Sequence, residues 1–329
     1  MKNFKNKSLL ITGGTGSFGK AFIDYVIKKK YNFKKIIIFS RDEFKQYEMS
    51  KIYDPNKYKF IRYFIGDVRD QSRLFFALEG IDYVVHAAAM KQVPTSEYNP
   101  IECIKTNING AQNIIETCLG KNVKKVIALS TDKAAAPINL YGASKLCSDK
   151  LFIAANNFKG KRETMFSIVR YGNVMGSRGS VVPLFRKQKK KKFVTITDTR
   201  MTRFNILLED SIKMVLWSFE NCIGGEILVP KIPSIKIIDL AEVIAPKSNI
   251  KIIGTRPGEK IHEELITESD SINTYDIGKY YTIIPNALFK KLKNKFPKAK
   301  KVRSNFSYSS GNNKDFLNKD EIRKILELV

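Results

Sequence analysis

Residues 8–19 read SLLITGGTGSFG, a short apolar run that leads directly into three glycines spaced three residues apart. The pattern predicts a strand, a tight turn and then a helix. Gly13 permits the turn, Gly16 lets the backbone approach a pyrophosphate, and Gly19 allows close packing of the helix on the strand. The positive end of the helix faces the phosphates. This context predicts a dinucleotide-binding unit, whose cofactor contacts in the turn are Gly13, Thr15, Gly16, Ser17, Phe18 and Gly19.

Short apolar runs alternate with helical patterns as far as Tyr171. Such alternation predicts an α/β fold with a Rossmann-type doubly wound parallel sheet. The pattern then becomes irregular, which we interpret as a smaller C-terminal α/β substrate-binding lobe. We predict a dinucleotide-binding domain over residues 1–171, with residues 204–230 packing back on it, and a substrate lobe formed by residues 172–203 and 231–329. The predicted strands cover residues 8–12, 35–40, 58–66, 83–86, 125–130 and 164–171.

Composition excludes several classes of protein. The 329 residues are 43% hydrophobic, which is enough for a core, and no run approaches the roughly 18 apolar residues of a membrane span. With no apolar signal region at the start, we expect a soluble cytoplasmic protein that does not bind a membrane. The net charge of +26 is compatible with nucleic-acid binding. We favour a solvated lysine-rich surface and no nucleic-acid partner, because the lysines are spread out and not interleaved with aromatic residues. Four dispersed cysteines and two histidines predict no metal site.

The end of the second strand bears on the choice of cofactor. An NAD site usually has an acidic residue here that binds the ribose 2′-hydroxyl. This chain has Ser40 and Arg41, with Lys45 one turn later, and a hydroxyl with two cations suits a 2′-phosphate. We therefore predict NADP. In the alternative, Arg41 faces solvent and Asp42 takes the acidic role.

Further cofactor contacts are predicted where later strands end. Asp67 and Val68 follow the third strand, and Asp67 suits the adenine amino group or caps the next helix. Small residues after the fourth strand let the nicotinamide ribose lie against the backbone, and the predicted contacts are Ala87, Ala88, Ala89 and, later in the chain, Val174. Lys91 follows at the mouth of the cleft.

Residues 129–145 read LSTDKAAAPINLYGASK and hold most of the groups that can carry chemistry. Thr131 supplies a hydroxyl, Asp132 a possible acid and Lys133 a possible base, and Tyr141 and Lys145 form a Tyr-x-x-x-Lys pair. The end of a strand and the start of a helix can bring these groups to one substrate. In the alternative, Asp132 and Lys133 are an ordinary loop ion pair.

The irregular second half contains polar and cationic loops suited to a phosphorylated ligand. Arg178 and Arg256 can clamp a diphosphate, although each can also form a surface ion pair. The predicted substrate-binding residues are Lys91, Asn173, Arg178, Gly179, Ser180, Val181, Thr197, Arg203, Arg256 and Asn312.

Several segments together resemble the extended short-chain dehydrogenase/reductase family, and the resemblance covers nearly the whole chain. They are residues 12–20, 40–42, 98–108, 130–145, 170–183, 201–204 and 256–260. Within that family, the Ser-Thr-Asp-Lys segment at 130–133 resembles the soluble, 5-inverting nucleotide-sugar 4,6-dehydratases, whereas better-known sugar-nucleotide dehydratases have Thr-Asp-Glu. Membrane-bound members carry a transmembrane extension and a methionine at the position of Tyr141, so the soluble branch is the better match.

The resemblance implies an NADP-dependent enzyme that acts on UDP-N-acetylglucosamine and forms a homo-oligomer, a dimer or a hexamer. It implies that Tyr141 takes the proton of the 4-hydroxyl, with Lys145 stabilising the tyrosinate and Thr131 binding the 4-oxygen. Lys133 would remove the C5 proton and Asp132 would protonate the departing 6-hydroxyl. These roles require a lowered pKa for Lys133 and a raised pKa for Asp132.

Two other functions remain open at this point. A nucleotide-sugar 4-epimerase would share the cofactor half and the pair of Tyr141 and Lys145, but needs no acid–base pair for elimination. A non-catalytic protein that binds NADP or RNA would use the +26 charge, and the intact tyrosine–lysine pair argues against it.

Overall fold

The computed structural model of the protein describes residues 4–177 and 180–328. A ten-stranded sheet with the order β16-β14-β15-β10-β6-β5-β4-β1-β2-β3 crosses the molecule. Its strands are β1 (Ser8–Thr12), β2 (Lys35–Ser40), β3 (Ile61–Ile65), β4 (Tyr83–His86), β5 (Lys125–Thr131), β6 (Met165–Tyr171), β10 (Ile227–Pro230), β14 (Thr274–Asp276), β15 (Tyr280–Ile283) and β16 (Lys300–Lys301). The predicted doubly wound α/β fold is confirmed, and each predicted strand is present with ends shifted by no more than three residues.

The seven strands from β3 to β10 are parallel, and the first six have the order 3-2-1-4-5-6 of a dinucleotide-binding sheet. Every residue of β1 and β4 is buried, because helices cover both faces of the sheet. All of these strands point their carboxyl ends to one edge, which is where the predicted site residues lie.

Thirteen α-helices lie in the described part of the chain. They are α1 (Ser17–Lys28), α2 (Glu43–Ile52), α3 (Gln71–Ala77), α4 (Val93–Tyr98), α5 (Pro100–Ile104), α6 (Gly110–Gly120), α7 (Leu140–Phe158), α8 (Val181–Lys189), α9 (Leu208–Asn221), α10 (Ile237–Ile244), α11 (Glu268–Ser271), α12 (Phe289–Lys295) and α13 (Lys319–Leu326). A π-helical turn at Lys105–Asn109 separates α5 from α6. Such turns often occur at functional sites.

Three strands of the large sheet come from the segment 231–329, which the sequence analysis assigns to the substrate lobe. The hairpin of β14 and β15 turns at Gly278 (φ +95°) and pairs antiparallel with β10. Without it, β10 would be an exposed edge of the sheet. The short, isolated strands leave too weak a pattern for this extension to be predicted. The domain boundaries themselves stay a prediction.

A second hydrophobic core lies outside the large sheet and is built by α8, α10 and α13, with Val182, Phe185, Leu240 and Ile322 buried. Smaller sheets accompany it and consist of β7 (Asn173–Val174), β8 (Phe193–Ile196), β9 (Thr202–Ile206), β11 (Ser234–Lys236), β12 (Asn249–Ile252), β13 (Glu264–Ile266) and β17 (Tyr308–Ser309). Helix α9 contacts β5 and β6 of the large sheet, and β10 pairs with β6 within it. None of the helices in the described ranges is long and apolar enough to cross a membrane.

Candidate active site

The glycine turn after β1 has the geometry of a phosphate cradle. Gly13 has φ +63°, and a Cβ at this position would lie 3.0 Å from the backbone of Ala88. A Cβ on Gly19 would overlap the carbonyl oxygen of Gly14, so α1 can pack this closely only with glycine there. Helix α1 comes next, with no acidic residue in its first turn and no side-chain cap on its amides. The cradle therefore fits the diphosphate of a dinucleotide.

The adenosine end of the cleft contains both cations and anions. Arg41 lies 3.5 Å from Asp67, and Lys45 lies 2.6 Å from Asp42. The Ser40 hydroxyl is buried and accepts a hydrogen bond of 3.0 Å from Gln46. Asp42 also caps α2, accepting from the Lys45 amide. The guanidinium of Arg41 and the amine of Lys45 remain half-exposed, so both can turn to an anionic ligand.

The end of β4 is held by the Thr12 hydroxyl. It hydrogen-bonds His86 at 3.0 Å and accepts from the amides of Ala87 and Ala88. Burial, with a further effect of Lys145, lowers the pKa of His86 to about 3, so this histidine is neutral. These contacts fix the backbone of Ala87 and Ala88 beside the glycine turn.

Asp132 and Lys133 lie in a short 3-10 turn (Asp132–Ala134) that directly follows β5. One carboxylate oxygen of Asp132 accepts from the Thr131 hydroxyl at 2.9 Å and from the Lys133 amine at 3.1 Å. The other oxygen, Oδ2, is buried without a hydrogen-bond partner among the described residues. The Lys133 amine also lies 3.0 Å from Glu263. Asp132, Lys133 and Glu263 thus form one buried cluster, here named the acid–base cluster.

Burial and the neighbouring charges shift the pKa values of Asp132, Lys133 and Glu263 in different directions. Burial raises the pKa of the Asp132 carboxyl, and Glu263 adds to this against the opposing effect of Lys133. Burial alone would lower the pKa of Lys133, but the two carboxylates outweigh it and raise that pKa. Burial would also raise the pKa of Glu263, but Lys133 and Arg203 lower it. These shifts favour the neutral form of Asp132 and the charged forms of Lys133 and Glu263.

The pKa of Asp132 is thus raised, as expected, whereas the lowered pKa expected for Lys133 is wrong. The reason is the second carboxylate. Glu263 lies 130 residues further along the chain and was not among the predicted site residues. The sequence points to Glu263 only by its position. It lies three residues after Lys260, which is the last residue of one of the segments that carry the resemblance.

Tyr141 lies in the first turn of α7, which faces the acid–base cluster. Burial raises the pKa of Tyr141 to about 12, although Lys133 and a hydrogen bond with Thr131 act to lower it. The largest effect of a cation on Tyr141 therefore comes from Lys133, whereas the resemblance assigns this role to Lys145. Burial lowers the pKa of Lys145, and Asp149 opposes this.

Local packing holds the tyrosine helix against the acid–base cluster. Asn139 caps α7 by accepting from the Gly142 amide at 2.8 Å, and its side-chain amide donates to the Gly258 carbonyl. A Cβ on Gly142 would overlap the Lys133 carbonyl oxygen, so only glycine allows this approach. The Lys260 amine donates to the Ala135 carbonyl at 2.8 Å. Two chain segments over 100 residues apart are joined at the site in this way.

The predicted substrate-binding residues are only partly brought together. Arg203 is buried and lies 3.9 Å from Glu263, so it faces the acid–base cluster. Thr197 is buried and donates to Met201. Ser180 precedes α8 at the N-cap and its hydroxyl is buried with no partner in the described ranges.

The remaining predicted contacts lie in strands and loops further out. Arg256 and Asn312 are exposed in loops. Asn173 and Val174 form β7, and Val181 is the first residue of α8. Lys91 lies in the loop between β4 and α4. The predicted residues Arg178 and Gly179 lie outside the described residues, so the diphosphate clamp stays a prediction. No group of residues that could hold a metal ion was found in the described part of the chain.

The parallel sheet order, the glycine cradle and the pair of Tyr141 and Lys145 define an extended short-chain dehydrogenase/reductase. The chain belongs to the family described as polysaccharide biosynthesis protein, which matches residues 9–285. It is 55% identical, over 98% of both chains, to a UDP-N-acetylglucosamine 4,6-dehydratase (inverting) of Campylobacter jejuni. It is also 45% identical to a protein of Rickettsia akari named UDP-glucose 4-epimerase, over 98% of this chain and 96% of the other.

Solved structures show the same architecture. The structure of Pen from Bacillus thuringiensis is 38% identical and superimposes with a TM-score of 0.90, covering 99% of this chain and 98% of the other. DesIV of Streptomyces venezuelae, a dTDP-glucose 4,6-dehydratase with NAD bound, is 22% identical with a TM-score of 0.69, covering 77% of this chain and 86% of the other. The second likeness concerns the fold alone.

Proposed function

We propose that this protein dehydrates UDP-N-acetylglucosamine between C4 and C6 with inversion at C5. The product would be UDP-2-acetamido-2,6-dideoxy-β-L-arabino-hex-4-ulose. The observation that carries the proposal is the acid–base cluster. A buried carboxyl with a raised pKa beside a lysine suits an elimination, whereas epimerisation does not require it. The 55% identity to the Campylobacter dehydratase supports the same substrate.

Each residue of the site has a role in this reaction. Tyr141 accepts the proton of the 4-hydroxyl, assisted by its hydrogen bond with Thr131. Oxidation at C4 acidifies the C5 proton, which the Lys133 amine removes. Asp132 then gives its proton to the departing 6-hydroxyl through Oδ2, the oxygen that has no hydrogen-bond partner in the described structure. Water leaves, and C5 is later protonated on its opposite face.

The cofactor we propose is NADP, held by the glycine cradle, by Ala87 and Ala88, and by Lys145. A nicotinamide bound there would supply the hydride chemistry between C4 and C6 without being consumed, and its positive ring would favour the tyrosinate form of Tyr141. Arg41 and Lys45 support NADP over NAD, since both are half-exposed cations next to the second strand. Lys145 is buried in α7, the helix that also contains Tyr141.

Substitution of Gly19 tests the cradle. We expect Gly19→Ala to weaken NADP binding at least about tenfold and to lower the free energy of unfolding by about 1–3 kcal/mol, because its Cβ overlaps the turn. Isothermal titration with NADP and with NAD, together with urea unfolding, measures both effects. Gly120→Ala is the matched control, since a Cβ there meets nothing within 4 Å. Equal behaviour of the two variants would contradict the cradle.

Proton NMR in heavy water tests the function. We expect the purified protein, given UDP-N-acetylglucosamine and no added reductant, to produce a new 6-methyl signal, deuterium at C5 and L-arabino couplings. Retention of the D-xylo configuration would leave a dehydratase without inversion. The absence of any 6-methyl signal from this sugar would refute the proposal.

A nucleotide-sugar 4-epimerase is the second candidate, because the Rickettsia relative carries that name. It would produce the 4-epimer and no 6-methyl signal in the same spectrum. The acid–base cluster favours the dehydratase, since inversion at C4 alone leaves Asp132 and Lys133 without a proton to transfer.

We also propose that the product enters glycan biosynthesis of the pseudaminic-acid type and that the enzyme is a homo-oligomer in the cytoplasm. The resemblance supports the role in glycan biosynthesis and the homo-oligomer. Exposed apolar side chains at Tyr98 and Ile101, in α4 and α5, support a contact between copies.

A further inference from the structure

The acid–base cluster presents a chemical problem. Lys133 can remove the C5 proton only as a neutral amine, yet it lies between the carboxyl groups of Asp132 and Glu263, whose charges favour its charged form. Asp132 is assigned as the acid that protonates the departing 6-hydroxyl, so it must keep its own proton and cannot also accept one from Lys133. A second acceptor within hydrogen-bond distance of Lys133 is therefore required, and Glu263 Oε1 lies 3.0 Å away.

Resting on the proposed dehydratase function, we propose that Glu263 is a positioning residue that accepts a proton from Lys133 and later returns it through Lys133 to Asp132. Its backbone is fixed for this role. The Glu263 amide donates to the Ser310 hydroxyl at 2.9 Å, and the Ser310 amide donates to the Glu263 carbonyl at 2.7 Å. The carboxylate is buried, and Oε2 has no hydrogen-bond partner within the described ranges.

Proton transfers balance over the cycle. An N–H bond of Lys133 breaks as an O–H bond forms on Glu263, and the free amine takes the C5 proton. Asp132 gives its own proton to the leaving hydroxyl, so the site then holds protonated Lys133, ionised Asp132 and protonated Glu263. Lys133 next gives a proton to Asp132 and receives one from Glu263. These three residues are then back in their starting state, and the proton that Tyr141 took from the 4-hydroxyl balances the protonation of C5, so no further reactant is needed.

Substrate binding provides the reason for the first transfer. The Lys133 side chain is 23% exposed without a ligand, and solvation there stabilises its charge. A sugar that covers the amine removes this water. The charged pair of Lys133 and Glu263 then loses its solvation and becomes costly relative to the neutral pair. The same desolvation would not occur in the absence of a substrate, so Lys133 stays protonated until the substrate is in place.

The other charges around Glu263 keep it ionised between turnovers. Arg203 on β9 lies 3.9 Å away, and Lys260 also lowers the pKa of the Glu263 carboxyl. Glu263 in turn raises the pKa of Asp132 across Lys133. The neighbouring His262 is turned to the Thr202 hydroxyl at 2.8 Å. The cations restore the carboxylate once the product leaves.

The test is Glu263→Gln, an isosteric change that keeps a hydrogen-bonding group but cannot accept the proton. We expect kcat for 6-methyl formation to fall about 100-fold at neutral pH, with KM changed less than about threefold. At pH values below the pKa of Asp132, the residual kcat should rise about tenfold per pH unit, because Lys133 must then lose its proton to solvent. Deuterium exchange at C5 of recovered UDP-N-acetylglucosamine in heavy water should slow by the same factor.

Glu226→Gln is the matched control, since Glu226 is another buried glutamate with an unpartnered Oε2, placed outside the site. We expect it to keep the wild-type kcat and pH profile. A folded Glu263→Gln variant with wild-type kcat or a flat pH profile would overturn the relay.

If Glu263→Gln does not fold, Glu263→Asp decides the question. Retention of a tenth of kcat with the wild-type pH profile supports the relay, and a folded but inactive Glu263→Asp variant overturns it. Failure of the proposed function is distinguishable, since the wild-type protein would then give no 6-methyl signal at all.

Discussion

Tyr141→Phe is expected to reduce formation of the 6-deoxy product by at least about 1,000-fold. Phenylalanine fills the same space in the first turn of α7 but cannot take the proton of the 4-hydroxyl. Without oxidation at C4, the C5 proton is not acidic, so the later steps also stop. In heavy water, NMR should therefore show neither a 6-methyl signal nor deuterium at C5 of the recovered sugar.

Tyr63→Phe is the control for this substitution. Tyr63 lies on β3, away from the site, and donates one hydrogen bond of 3.0 Å to the Tyr53 carbonyl. Its loss is expected to cost about 1 kcal/mol of unfolding free energy and to leave kcat unchanged. If Tyr141→Phe retains C5 exchange at the wild-type rate, another group takes the 4-hydroxyl proton, and our assignment of Tyr141 is wrong.

The parallel half of the fold could be predicted because its information is local. A buried strand next to helices gives a continuous apolar run, and a glycine turn fixes the start of the helix after β1. The strands β1 and β2 were predicted to the residue. The π-helical turn at Lys105–Asn109 was not, since it interrupts an unbroken helical pattern and shows no breaking residue.

The candidate site was predictable only where its residues share one stretch of sequence. Asp132, Lys133 and Tyr141 are carried by β5 and α7, which are consecutive elements. Glu263 comes from a distant segment that reaches the site through β13, a strand of three residues paired with β17. So short a strand has no detectable periodicity, and tertiary contacts decide its position.

The absence of Glu263 from the predicted site residues affects the chemistry expected of both Asp132 and Lys133. A pair of Asp132 and Lys133 in isolation would lower the pKa of the acid. With Glu263 added, Lys133 has a second counter-charge, and burial can then raise the pKa of Asp132. The acid character of Asp132 thus depends on a residue that the sequence does not place beside it.

Asp132→Asn is expected to lower kcat for the 6-deoxy product by about 1,000-fold while C5 exchange continues. Asparagine keeps an oxygen that can accept from Thr131 and Lys133, as Oδ1 of Asp132 does, but cannot protonate the leaving hydroxyl. Lys133 can still remove and return the C5 proton. Substrate recovered from heavy water should therefore carry deuterium at C5 without a 6-methyl group, which separates this variant from Glu263→Gln.

The pH dependence of the wild-type enzyme is set by the same carboxyl. Burial raises the pKa of Asp132, so the protonated form that the elimination needs is populated below that raised pKa. We expect kcat to be maintained at lower pH and to decline as the pH rises through the pKa of Asp132, measured by NMR across a pH series. An Asp132→Asn variant whose turnover stays within tenfold of wild type would show that another acid protonates the 6-hydroxyl, and a wild-type kcat that keeps rising with pH would show that the carboxylate is the active form.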